Sequence, residues 1–121
     1  MNNTFCWVDI PVSNLDRAIN FYSAMLATSI QKVSEHGFEF GLFPHKDGDV
    51  SGCLSVMDRK PSKDGALVYL NVEGQLDETI KRAKAQGSTI LADKEQIGPW
   101  GYRALIVDSE GNAIALYSKE A

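Results

Sequence analysis

Apolar and polar positions alternate over residues 5–11. Cys6, Val8 and Ile10 fall on one face and Phe5, Trp7 and Asp9 on the other, which predicts a strand ended by Pro11. Ser13 or Asn14 then stands at a cap position, and Leu15, Ile19, Tyr22 and Leu26 recur at helical spacing. Residues 29–33 and 38–43 predict a hairpin about His36-Gly37, the PHKDGD stretch at 44–49 is turn chemistry, and 52–57 reads as a further short strand.

The polar, basic segment DRKPSKDG at 58–65 separates this run of elements from a second one. Residues 66–72 alternate again, with Val68, Leu70 and Val72 against Leu67, Tyr69 and Asn71. The helix predicted over 75–86 begins acidic with Asp77 and Glu78, ends basic with Lys81, Arg82 and Lys84, and stops at Gly87. Strands follow at 89–92, 102–107 and 113–118, the last two joined by the DSEG turn at 108–111. The order is β-α-β-β-β, a linker, and β-α-β-β-β once more. The sequence itself repeats: WVDIPVSNLDRAI at 7–19 returns as LVYLNVEGQLDETI at 67–80, with Trp7 on Leu67, Val12 on Val72 and, after one extra turn residue, Leu15 on Leu76 and Ile19 on Ile80. The expected fold is α+β: one domain over 1–121 built from two modules, about 1–58 and 66–121, in a curved mixed sheet around a cleft with the helices outside.

Composition narrows the function classes. With 44% hydrophobic and 23% charged residues, the chain of 121 residues is an ordinary globular domain. A net charge of −4 offers no basic stripe for a nucleic-acid backbone. No apolar run approaches the roughly 20 residues that span a bilayer, so no membrane partner is expected. The opening MNNTFCWVDI has neither a basic nor an apolar leader region, and the two cysteines, Cys6 and Cys53, are too few for a disulfide framework; a cytoplasmic location is expected.

The segments WVDIPVSNLDRAINFYSAML and GYRALIVDSEGNAIALYS, with the VSGCL and ALVYLNVE strands between them, resemble the vicinal oxygen chelate superfamily of glyoxalase I, bleomycin-resistance proteins, fosfomycin-resistance enzymes and extradiol dioxygenases. The resemblance covers almost the full length, and more narrowly the chain is similar to single-domain glyoxalase-like proteins. It implies that four strand positions would present His, Gln or Glu to a divalent ion. Here those positions are Trp7, Cys53, Leu67 and Ala115, and only the thiol of Cys53 carries a donor, so neither a metal nor any other cofactor is expected. His36 and His45 fall in predicted loops. Single-domain relatives commonly pair, which makes a homodimer the expected assembly.

The cleft face is then expected to be aromatic with a few polar handles. Trp7, Cys53, Ser55, Leu67, Tyr69, Asn71, Ala115 and Tyr117 would line it, with Trp100 and Tyr102 bordering the opening, as suits a small hydrophobic or aromatic molecule. Asp9, beside Trp7, is the candidate general base unless it pairs with Arg103 or Lys32 or reaches solvent at the strand end, and Glu39 is a second candidate whose face depends on hairpin register. Three readings follow: a metal-independent small-molecule binding protein, a lyase- or isomerase-type enzyme using a cleft carboxylate, and a dimeric interaction module. The first is preferred.

Overall fold

In the computed structural model, which describes residues 3–121 (Met1 and Asn2, at the start of the expected first module, lie outside them), the predicted element order is present twice. The first module comprises β1 (Trp7–Pro11), α1 (Leu15–Met25), β2 (Gln31–Glu35), β3 (Phe38–Leu42) and β4 (Ser51–Ser55). The second comprises β5 (Val68–Asn71), α2 (Leu76–Ala85), β6 (Ile90–Gln96), β7 (Tyr102–Val107) and β8 (Ala113–Ser118), with a 3-10 turn at Gly98–Trp100. Each module forms a four-stranded mixed sheet, ordered β1-β4-β3-β2 and β5-β8-β7-β6. The first strand pairs parallel with the last, and the remaining pairs are antiparallel.

Local chemistry accounts for most boundaries. The β2–β3 hairpin turns on His36 (φ 52°) and Gly37 (φ 81°), the two positive-φ residues that a tight turn matching strand twist requires. Asn14 is the cap of α1, its Oδ1 accepting from Arg17 N at 3.0 Å. Strand β6 runs beyond the expected 89–92 because cross-strand pairing sustains its polar end: Glu95 opposes Arg103 and Gln96 opposes Tyr102, after register shifts on either side of Ala92.

The registers divide every strand between two faces. Val8, Ile10, Leu54, Leu70, Ala104 and Leu116 point to the helix side and build the core, where α1 packs on β3 and β4, α2 packs on β6, β7 and β8, and the helices touch each other. Trp7, Asp9, Cys53, Tyr69, Ala115 and Tyr117 lie on the opposite, open face.

The second module also caps the first. In the β7–β8 turn, the Glu110 carboxylate accepts from the amides of Ser13 and Asn14, both at 2.9 Å, and from Arg17 Nε at 2.7 Å. Asn112 Nδ2 donates to the Pro11 carbonyl at 2.8 Å, and the buried Tyr22 hydroxyl donates to Asp108 at 2.5 Å. The Glu110 bonds hold the amides at the entry to α1, and all these contacts tie the modules together.

Candidate functional site

On the open face of the first module, Asp9 and Cys53 are register partners on β1 and β4. Asp9 Oδ1 accepts from Trp7 Nε1 at 3.0 Å and from Cys53 Sγ at 3.3 Å. Arg103 and Lys32, the expected partners of Asp9, are engaged elsewhere: Arg103 with Tyr69 and Glu95, Lys32 with Asp16 and Glu39. Trp7 is 43% exposed, and the His45 ring meets it edge-on at 6.3 Å. The loop that sequence reasoning set apart from the strands thus brings a histidine beside the open face.

The four positions at which the resemblance implies a metal can be tested by their donors. Ala115 is fully buried between Tyr69 and Leu105, while Leu67 and Trp7 supply no basic lone pair. Burial, then the bond to Asp9 and its charge, pushes the Cys53 thiol up to about 11, against a smaller opposing effect of the Trp7 N–H. A protonated thiol is neither a metal ligand nor a nucleophile. The residue set does not fit a divalent ion.

In the second module the open face gathers Tyr69, Tyr117, Arg103 and Glu95. The Arg103 guanidinium donates to the Tyr69 hydroxyl, lies over that ring at 5.9 Å, and pairs with Glu95 at 3.4 Å. Tyr117 meets Tyr69 edge-on and donates to the carbonyl of Trp100, a residue that is 73% exposed.

Three expected site residues sit apart from these clusters. Tyr102 points to the helix side, against the core and under Lys94, because it pairs with Ser118 rather than Tyr117. It therefore does not border the open face. Glu39 opposes Ser34 in the hairpin, which turns it to the α1 side, where Lys32 holds it at 3.2 Å; it does not join Asp9. Ser55 lies at the end of β4 and borders the shallow hollow that contains Glu39.

A roomier space lies elsewhere. A space of ≈ 590 Å³ opens between the edge strands β1 and β5, walled by Val8, Ile10, Val68, Leu70, Val72 and Leu26. Of the expected ligand-binding residues only Tyr69 and Asn71 line it. Its polar border comes from Thr28, Ser51, Gln75, Thr79, Arg82 and Glu73. A smaller space of ≈ 220 Å³ lies toward the other end of the same two strands, lined by Asp9, Pro11, Ala66, Asn112, Ala113 and Ile114 and covered by the linker at Arg59, Lys60 and Ser62.

The two spaces are counterparts under the internal repeat. Asn112, Ala113 and Ile114 beside the smaller one correspond to Val50, Ser51 and Gly52 beside the larger, because Cys53 and Ala115 hold the same register against Asp9 and Tyr69. One end is more fully filled than the other. Where α1 carries the buried Phe21 and Tyr22, α2 carries Arg82 and Ala83; where β8 has Ile114, β4 has Gly52, whose Cβ would collide with the Val8 carbonyl. The signal was in the sequence as size differences between the halves, visible only once the repeat is aligned residue by residue.

Comparison with known proteins agrees with this architecture. A sequence model described as Glyoxalase/Bleomycin resistance protein/Dioxygenase superfamily matches residues 4–116. None of the curated proteins matches the chain. Among solved structures, a member of that superfamily from Sphaerobacter thermophilus DSM 20745 superposes with a TM-score of 0.69 at 23% identity, covering 96% of this chain and 97% of its own. A glyoxalase-related enzyme from Fulvimarina pelagi gives 0.70 at 12% identity, covering 98% and 88%. A family enzyme from Burkholderia phytofirmans PsJN gives 0.68 at 14%, covering 93% and 96%. At these identities the superpositions speak for the fold alone, whereas the sequence match spans nearly the whole length: the chain belongs to the glyoxalase/bleomycin resistance protein/dioxygenase superfamily.

Proposed function

We propose that this chain is a metal-independent small-molecule binding protein of the glyoxalase/bleomycin-resistance type, with its ligand seated between β1 and β5. The observation that carries the reading is the ≈ 590 Å³ cavity, apolar on its strand walls and polar at its border. Its size falls inside the span of about 300–1,000 Å³ typical of small-molecule sites, and its composition is of the same kind. The donor-poor set Trp7, Cys53, Leu67 and Ala115 supports the metal-independent part.

A screen of small apolar and aromatic molecules against the isotope-labelled protein tests it. Binders should move the amide resonances of Ile10, Leu70 and Thr79. Val50→Trp, which places a large side chain at a border position that is 41% exposed, should abolish those shifts without unfolding the protein. Binders that map only to the open face, or that ignore the plug, would refute the assignment.

One observation favours an enzymatic reading. Both donors to Asp9 sit on Oδ1, and Oδ2 has no hydrogen-bond partner among the described residues, so this exposed carboxylate keeps one oxygen for a substrate on the open face. In that reading Asp9→Asn lowers turnover by about 10²–10⁴ while the fold persists. A ligand that is bound and released unchanged, by wild type and Asp9→Asn alike, decides for binding.

A further inference from the structure

We propose that the molecule held between β1 and β5 carries a carboxylate on an apolar body, and that Arg82 is the group that recognises it. This rests on reading the cavity as a ligand site and goes beyond it by assigning the head group.

Arg82 occupies the helix position where α1 buries Phe21, so the second module sets a cation beside its cavity at the point where the first packs an aromatic ring. Its two hydrogen-bond partners are neutral: Nε donates to the Met25 carbonyl at 2.8 Å and Nη2 to Thr79 Oγ1 at 3.2 Å. The Thr79 hydroxyl is committed in turn to the Gln75 carbonyl at 2.6 Å. A guanidinium has five N–H donors, and Nη1 of Arg82 bonds nothing among the described residues without being a buried orphan, so it keeps donors free on a side chain that borders the cavity. Arg82 is the cation that lines this cavity, and it has no carboxylate within 4.0 Å among the described residues.

The surroundings do not cancel this charge. Glu73, the carboxylate beside the same cavity, is taken by the amides of Lys119 at 2.6 Å and Glu120 at 3.0 Å and by the Ser118 hydroxyl at 2.9 Å. Asp77 and Glu78, in the first turn of α2, are turned to Lys94 and Lys81. Gln75 stands at the start of that helix without capping it by its side chain, which leaves its amide group available at the cavity border. One fork-shaped cation facing apolar walls suits a monoanion, whose two oxygens match the guanidinium plane. A phosphate dianion would need further cations. The valine, isoleucine and leucine walls would hold the body.

The test compares octanoate with octanamide, matched in length and differing in charge, by titration of the isotope-labelled protein at fixed ionic strength. Octanoate should bind about tenfold or more tightly, moving the amides of Thr28, Val72 and Thr79. Arg82→Gln should erase the preference, and Arg82→Lys, which keeps the charge and guards against a loss of fold at the Met25 contact, should retain part of it. Equal affinity for acid and amide in the wild type, a preference that survives Arg82→Gln, or inorganic phosphate binding as tightly as octanoate would each overturn the head-group assignment while leaving the cavity a binding site. If neither probe moves any cavity amide at millimolar concentration, the binding reading itself fails and takes this assignment with it.

Discussion

The Glu110 carboxylate sits at the centre of the contact between modules, and its side chain is fully covered. Burial is the largest single influence on it and would raise its pKa. The Arg17 guanidinium, the amides of Asn14 and Ser13 and the Ser109 hydroxyl together overcome that and bring it from 4.5 down to about 2. A carboxyl group whose pKa is lower in the folded state than in the unfolded chain stabilises the fold above its unfolded value, and that stabilisation is lost as pH falls toward its folded value. Wild type should therefore exceed Glu110→Gln by about 1–3 kcal/mol near neutral pH. The gap should narrow as pH drops from 4.5 toward 2 in paired thermal melts, and a constant gap across that window would mean another group governs the acid limb. Tyr22 belongs to the same junction. Burial first, then the charge and hydrogen bond of Asp108, hold its hydroxyl protonated far above the ordinary range, so it acts as a donor at every working pH. Tyr22→Phe removes that donor from Asp108 and should cost about 1–3 kcal/mol in denaturant unfolding, without the pH signature of Glu110→Gln.

At the scale of the element, the two helices end alike with different residues. Both close with the amide of the second residue past the cap bonding back into the last turn: Thr28 N to Ser23 O and Ser88 N to Ala83 O, each at 3.0 Å. The left-handed residue this requires is Gly87 (φ 85°) after α2 but Ala27 (φ 51°) after α1. Ala27→Gly relieves that conformation and should raise stability by about 0.5–1 kcal/mol, visible as a higher melting temperature; a fall would show that chain entropy outweighs the relief. Strand, helix and turn identities were legible in the sequence because period, caps and turn residues act locally. Glu39 and Tyr102 were not, since which face a strand residue takes depends on its partner's register, and a shift of one position reverses it. The smallest element change with the largest expected effect is Gly52→Ala on β4. Its methyl meets the backbone carbonyl of Val8 rather than a side chain that can move, so β1 and β4 must part. A loss of about 2 kcal/mol or more is expected, measured as the denaturant midpoint.

For the whole molecule, the repeat fixes the architecture and the departures from it fix the cavity. Two identical halves would fill both ends of the β1–β5 groove in the same way. Here the β7–β8 turn, with Asp108, Glu110 and Asn112, reaches across to α1, while the β3–β4 loop makes no hydrogen bond to α2 among the described residues. No single residue type announces such an opening, which is why the candidate wall read from strand alternation shares only Tyr69 and Asn71 with it. The same asymmetric contacts bear on cooperativity. The modules share the α1–α2 packing, the Arg82–Met25 bond and the Glu110 and Tyr22 bonds, so neither core is complete alone. One tryptophan lies in each module: Trp7 on β1 and Trp100 before β7. Fluorescence of Trp7→Phe and Trp100→Phe variants followed through urea should give coincident midpoints, because loss of either module exposes the helix-side core of the other. Adding Glu110→Gln should move both curves together. If the Trp100 curve instead lagged the Trp7 curve, the second module would be folding without the first. The groove between β1 and β5 would then be a hinge between separable units rather than a cavity within one.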